Sequence, residues 1–459
     1  MYQIDFNKPA KVHFIGIGGI SMSGLAEILM ERGFTVSGSD SRQSELTDML
    51  ALRGAKIYYG QRAGNLADDI AVVVYTAAVH PDNSEFAEAM RRGLPMLTRA
   101  QLLGQIMKNY PHAVAVAGTH GKSTTTSMLT EILLKADMDP TISVGGMLDS
   151  IGGNIRTGDS GYFVTEACEY TNSFLSLYPT VGVILNIQED HLDFFKNLED
   201  IRSSFVRFAS LLPEDGLLVL NGSIERAEEL CSGLKCRIVR YGRGSDWDYG
   251  ACGIRYDGQA RPSFTLYIKG EPASEIELGV SGEHNIDNAL AAIAAALDLG
   301  APMEAIKAGL SSFGGIHRRF EKKGEISGVT VIDDYAHHPT EIAASLRTAK
   351  SCPHNKIWCV FQPHTYTRTK AFLKEFAEAL SIADEIVLAD IFAARETDNL
   401  GISSRNLEEE LQKLGVSVHY FPSFDEIENF LLQNCIHGDM LITMGAGDIV
   451  KVGEKLLGC

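Results

Sequence analysis

One segment restricts the fold of this chain more than any other: residues 113–129, AVAVAGTHGKSTTTSML. Its apolar start reads as a short strand, its glycines as a turn, and the stretch after Lys122 as the opening of a helix. A unit of this kind presents backbone N–H groups and a lysine to the phosphates of a nucleotide. Ser123 follows Lys122 directly, where a phosphate-bound Mg²⁺ needs an oxygen ligand. The loop Gly118, Thr119, His120, Gly121, Lys122, Ser123 and Thr124 is therefore the expected seat of a nucleoside triphosphate. It departs from the usual phosphate loop at one point, because Val116 stands where a glycine is customary.

A chain of 459 residues exceeds a single core, and about 150 residues per domain points to three. Each segment restarts an alternation of β-like runs with helical patterns, which predicts α/β domains with parallel sheets. The expected domains are 1–108, 109–314 and 315–459. In the first, VHFIGI (12–17), TVSGSD (35–40) and VVVYT (72–76) read as strands. In the second, YFVTEA (162–167) and VGVILN (181–186) follow the phosphate turn, and an alanine-rich helix follows Gly279. The third offers TVIDD (330–334), IWCVFQ (357–362), EIVLAD (385–390), VHYF (418–421) and MLITMG (440–445).

Charge and cysteine use narrow the function class. A formal charge of −18 argues against general nucleic-acid binding and against docking on anionic membranes. Eight cysteines without a C-x-x-C pair suit a reducing compartment better than a disulfide framework. No apolar run approaches the ~20 residues of a spanning helix, and the first residues lack the pattern of a secretory signal. The expected location is the cytoplasm.

Several further motifs sit at predicted strand ends, where open α/β sheets bind their ligands. GIGGISMSG (16–24) resembles a dinucleotide loop, with Asp40 at the spacing of a ribose-binding acid. Met22 and Ser23 before Gly24 break that pattern, so another nucleotide or a structural turn stays open. Glu166, Glu169, Asn186 and His191 gather near one rim of the central sheet. Glu166 suits the hard oxygen shell of Mg²⁺, with Glu169 supporting it. Asp190, His191 and Asp193 in QEDHLD read either as a hydrogen-bonded cap or as part of a second metal site. Asn285 and Asn288 in EHNIDNA either cap a helix or read an adenine edge. HRRFE (317–321), DDYAHHPTE (333–341) and FQPHTYTR (361–368) concentrate ionisable groups, and Arg318, Arg319 and Arg368 could grip a carboxylate or phosphate.

Taken in order, GIGGISMSG, GTHGKSTTT, the Glu166 strand end, NIQEDHLD, GEHNIDNALAA, HRRFE, DDYAHHPTE and FQPHTYTRT resemble the motif series of the Mur ligases over the whole chain. The resemblance implies an N-terminal Rossmann-like domain for a UDP-sugar, a central P-loop-type ATPase domain with a mostly parallel sheet, and a C-terminal Rossmann-like domain closing over ATP. It implies the substrates UDP-N-acetylmuramate and L-alanine, joined through an acyl phosphate in peptidoglycan synthesis, with ATP and Mg²⁺ required. By motif, Lys122 would contact the transferred phosphate, Ser123 and Glu166 would ligate Mg²⁺, and His191 would belong to a second metal. Asn285, Asn288, Arg319 and Asp334 would contact ATP. Tyr335, His337, His364 and Arg368 would line the amino-acid end, with Lys122, Glu166, His191, His337 and Arg368 as the catalytic set. Gly16, Gly18, Gly19, Ser21 and Asp40 would hold the UDP moiety, and Asn186 is grouped with the substrate contacts. A monomer or homodimer is expected.

Three departures bear on these roles. Many members carry an arginine where this chain has Thr365, which leaves Arg368 alone from that motif for the amino-acid carboxylate. Cys168 replaces a customary aspartate, and residues 201–208 contain no lysine, as suits the alanine-adding branch. The alternatives are a ligase that recycles murein tripeptide or a variant that adds glycine or serine, a nucleotide-binding regulator without chemistry, and, from another class, an NAD-dependent oxidoreductase using GIGGISMSG.

Overall fold

The computed structural model describes residues 2–76 and 78–459. Three sheets follow one another along the chain. Strands β1 (Lys11–Ile15), β2 (Thr35–Asp40), β3 (Lys56–Tyr59), β4 (Val72–Tyr75) and β5 (Met96–Thr98) form an all-parallel sheet in the order β3-β2-β1-β4-β5. Val12, Phe14, Val72 and Val74 are fully buried, as expected where helices cover both faces of a parallel sheet. The strand order reverses between β1 and β4, so the glycine loop after β1 opens at the switch point of the sheet.

The central sheet has ten strands: β6 (His112–Ala117), β7 (Thr141–Leu148), β8 (Gly153–Arg156), β9 (Tyr162–Ala167), β10 (Val181–Ile184), β11 (Leu217–Asn221), β12 (Arg237–Arg243), β13 (Tyr249–Tyr256), β14 (Pro262–Ile268) and β15 (Glu271–Glu277). Their order is β15-β14-β13-β12-β11-β10-β6-β9-β7-β8. Pairing is parallel from β7 to β13 and antiparallel at both edges. β6 lies between β9 and β10, with Val116 beside Glu166 and Ala117 beside Ile184. The turn leaving β6 is thus flanked by the carboxyl ends of both neighbours. The helix Lys122–Lys135 starts directly from that turn. A Cβ on Gly309 would stand 2.7 Å from the Ile132 backbone, so the helix Met303–Ser312 approaches that helix as closely as only glycine permits. Ala289 to Ala296 are fully buried in the helix His284–Asp298.

The third sheet contains β16 (Glu321–Ile326), β17 (Val329–Asp334), β18 (Ile357–Phe361), β19 (Glu385–Leu388), β20 (Ser417–Tyr420) and β21 (Met440–Met444), ordered β16-β17-β21-β18-β19-β20. Only β16 is antiparallel. The N-terminal unit packs on the central one through the helix Ile20–Glu31, where a Cβ on Gly24 would fall 2.0 Å from Ile155 Cδ1. No helix among the described residues is long and apolar enough to cross a membrane.

Candidate active site

The phosphate turn is built from backbone conformations that favour glycine. Gly118 has φ +153° and Gly121 φ +82°, the latter capping the helix that begins at Lys122. Asn186, just past β10, holds the turn from below: its Oδ1 accepts the His120 N–H at 2.8 Å, and its Nδ2 donates to the His120 carbonyl at 3.0 Å. The Thr119 hydroxyl accepts the Gln188 N–H at 2.9 Å. Both ends of the Asn186 amide are therefore committed to shaping the loop.

The Lys122 ammonium lies 2.9 Å from Glu169 Oε2 and 3.1 Å from the Thr119 carbonyl. Burial alone would depress its pKa, but Glu169 outweighs burial and raises it, so the lysine is a firm cation. Glu166, at the end of β9, accepts the Gly145 N–H through Oε1 at 2.5 Å. His191 adopts φ +53° and places Nε2 3.8 Å from both Glu169 and Asp190. Among the described residues no three His, Cys, Asp or Glu side chains form a metal cage. The donor set of a carboxylate and a serine hydroxyl instead suits Mg²⁺, which takes few protein ligands and fills its shell with phosphate and water oxygens.

A cavity of about 590 Å³ opens beside this turn, lined among others by Ser123, Thr124, Asn285, Asn288, Arg319 and Asp334. Asn288 Nδ2 donates to Asn285 Oδ1 at 3.0 Å, and Asn285 Nδ2 donates to the Ser281 carbonyl. The two amides thus form one ordered chain at the start of the helix His284–Asp298. A second cavity of about 430 Å³ is lined by Gly16, Asp40, Gln61, Thr76 and Asn83. Asp40 Oδ2 accepts the Gly18 N–H at 2.8 Å, and a Cβ on Gly18 would meet that same oxygen at 2.9 Å. Arg99 reaches the loop by donating to Ser21 Oγ at 3.1 Å.

The third domain brings its own groups to the central turn. His120 Nδ1 lies 3.1 Å from Glu341 Oε1, and Arg319 Nη1 lies 3.5 Å from the same oxygen. Burial would raise the Glu341 pKa, yet His120, His337 and Arg319 hold it well below the usual range. Asp334 is buried and pushed up to about 6, despite the hydrogen bond it accepts from Ser345. Burial pushes His337 down to about 4, and it does the same to His338 and His364. Their rings are neutral at pH 7 and offer acceptor nitrogens. His337 Nδ1 lies 3.0 Å from the Tyr335 carbonyl, and Arg368 Nη1 lies 3.2 Å from His364 Nδ1. Arg318 takes a different place: it pairs with buried Asp333 at 3.0 Å and donates to the Gly445 and Gly447 carbonyls, inside its own domain.

Comparison with known proteins agrees with this layout. Residues 11–111 match the description "Mur ligase family, catalytic domain", residues 116–296 "Mur ligase middle domain", and residues 318–447 "Mur ligase, glutamate ligase domain". The chain is a Mur ligase. UDP-N-acetylmuramate–L-alanine ligases of Lachnospira eligens and Agathobacter rectalis are 60% and 58% identical to this Mur ligase, each over all of both chains. The crystal structure of UDP-N-acetylmuramate–alanine ligase from Thermotoga maritima superposes with a TM-score of 0.80 at 30% identity, covering 98% of each chain. A murein peptide ligase from Psychrobacter arcticus gives a TM-score of 0.71 at 26% identity, also covering 98% of each. Family membership over all three domains removes the oxidoreductase alternative for GIGGISMSG.

Some groups that this Mur ligase gathers at the site carry no assigned role in the motif reading. Glu341 lies within DDYAHHPTE but meets His120 only across domains. Arg99, which reaches Ser21, stands in a segment with no motif of its own. The i,i+4 spacing of His337 and Glu341 was a usable local signal. For Arg99 the sequence holds none.

Proposed function

We propose that this Mur ligase joins L-alanine to the lactyl carboxylate of UDP-N-acetylmuramate at the expense of ATP, the first stem-peptide step of peptidoglycan synthesis. The identity to alanine-adding relatives along the full chain supports the choice of amino acid. One structural observation carries the reading: the third domain meets the central one at the phosphate turn, through His120–Glu341, and at the neighbouring loop after β10, through Arg368–Asp190. A phosphate-binding turn and an amino-acid clamp brought together from two domains are what sequential activation and amide formation require.

In this reading the loop N–H groups and Lys122 seat the triphosphate and stabilise charge on the transferred phosphoryl group. Ser123 and Glu166 would hold Mg²⁺, which would offset the repulsion between the phosphates and the incoming carboxylate. His191, with Nε2 3.8 Å from Glu169, faces the same region and would hold a second metal. Asn285 and Asn288 present donors and acceptors to the adenine edge, while Arg319 and Asp334 contact the nucleotide from the third domain. Phosphorylation turns the lactyl carboxylate oxygen into a leaving group, and the alanine amine then displaces phosphate. Arg368 grips the alanine carboxylate, with Tyr335, His337 and His364 lining that end. The loop Gly16–Gly19, Ser21 and Asp40 hold the UDP portion away from the chemistry. The need for ATP and a nucleotide-activated sugar supports a cytoplasmic location.

The test is phosphate release with Mg²⁺, ATP, UDP-N-acetylmuramate and L-alanine together and with each omitted in turn. Release that requires all four is expected. Equal or faster turnover with murein tripeptide in place of L-alanine would overturn the choice of acceptor.

A further inference from the structure

The loop that follows β10 carries residues of two different allegiances. His191 turns toward Glu169 and the phosphate side. Asp190, its neighbour, turns toward the third domain, where its Oδ1 accepts from Arg368 Nη2 at 2.8 Å and from Arg368 Nε at 3.3 Å. Glu189 joins in, because its carbonyl lies 3.0 Å from His338 Nε2. Three consecutive residues thus connect the activating centre to the domain that supplies the amino-acid end.

The Asp190–Arg368 pair is nearly dry, with side-chain exposures of 8% and 10%. A guanidinium has two edges that can each serve a carboxylate. Here Nε and Nη2 are taken by Asp190, which orients the plane, while Nη1 donates to His364 Nδ1 at 3.2 Å and keeps its second N–H for a further acceptor. Thr365 does not share this work. It has φ +66°, and its hydroxyl accepts the Arg368 N–H at 3.4 Å, capping the short helix that carries the arginine. A lone guanidinium on a flexible stem holds a small carboxylate well only if something else fixes its plane.

We infer that Asp190 is a positioning residue for the amino-acid substrate, orienting Arg368 so that its second edge receives the carboxylate and tying that clamp to the loop bearing His191. This rests on the ligase reading given above. It assigns Asp190 to recognition of the nucleophile, although in sequence it belongs to the motif of the metal-side histidine.

The test is steady-state kinetics of Asp190→Asn, with the wild-type enzyme run in parallel. Loss of a charge-assisted partner should raise KM for L-alanine about 10- to 100-fold, with KM for ATP changed about twofold or less. UDP-sugar affinity, read by calorimetry, should be unchanged and reports an intact fold. Asp190→Glu, which keeps the charge but displaces it, should move KM for L-alanine in the same direction. In an Arg368→Lys background, Asp190→Asn should add little, because the two act as one unit. An unchanged KM for L-alanine, or a full additional loss in the Arg368→Lys background, would overturn the inference. A rise in KM for ATP as large as that for L-alanine would also overturn it, pointing to the metal side. Failure of the wild-type enzyme to release phosphate would remove the ligase reading itself.

Discussion

The Lys122 ammonium and the Glu169 carboxylate lie 2.9 Å apart beneath the phosphate turn, with only a small part of either side chain exposed. Glu169 thereby keeps the lysine charged and aimed along the loop. Removing one member of such a pair strands the other in a poorly solvated place.

Lys122→Met should abolish phosphate release while leaving UDP-sugar affinity within about twofold, since the two sites lie in different domains. The lone Glu169 should lower stability by about 3 kcal/mol, read by chemical denaturation. Lys122→Met combined with Glu169→Gln should recover part of that stability and none of the activity. A collapse of UDP-sugar affinity in the single variant would contradict the assignment of the two nucleotide sites.

Gly121→Ala places a methyl group on a residue with φ +82°, 2.5 Å from Asn288 Oδ1. The backbone strain costs about 1–2 kcal/mol, and the contact forces the amide chain of Asn288 and Asn285 to shift. The expected result is a raised KM for ATP together with a lower melting temperature. KM for L-alanine should change least.

Glu166→Gln keeps the shape and the Gly145 contact but removes the charge of the expected Mg²⁺ ligand. Half-maximal activation should then need a higher Mg²⁺ concentration, about tenfold or more by the usual cost of a lost metal partner. A titration of activity against Mg²⁺ at saturating ATP measures this.

His337 and His338 are both pushed down to about 4, chiefly by burial. Their unfolded-state values are near 6.5, so between pH 6.5 and 4 the unfolded chain binds protons that the native one refuses. The stability they contribute is complete above pH 6.5 and declines as pH falls toward 4. Asp334, raised to about 6, works in the opposite sense, favouring the native state at low pH and losing that contribution as pH rises through 6. With His364 pushed down in the same way as His337 and His338, three histidines stand against Asp334, and the melting temperature should fall from pH 7 to pH 5. His338→Asn should flatten that fall.

Gly24→Val drives a branched side chain into Ile155, where even a Cβ would lie 2.0 Å from Cδ1. Overpacking of this kind costs about 1–3 kcal/mol and here separates the first domain from the second. A lower melting temperature is expected, together with weaker coupling between UDP-sugar binding and ATP turnover.

Much of the fold was legible because parallel strands buried on both faces read as apolar runs. TVSGSD and YFVTEA coincide with β2 and β9, and the other named runs agree to within one or two residues at each end. The edges were not legible. β13 to β15 and the β7–β8 hairpin lack strong apolar runs, because one side of each meets water. At the site, the phosphate turn was readable from local chemistry, since a glycine turn before Lys-Ser carries its geometry within a few residues. Arg318 was not separable from Arg319 by sequence: adjacent residues of one type turn to opposite environments, one to Asp333 and one to the cleft.

From its residues alone, this chain declared three α/β units and a glycine turn leading into the helix at Lys122, because each of those features is written in contacts a few residues long. The pairing of groups across domains belongs to tertiary structure. Asp190 and Arg368 are 178 residues apart, and His120 and Glu341 are 221 apart. No local spacing encodes such contacts. They arise only when the carboxyl ends of two separate sheets are brought face to face.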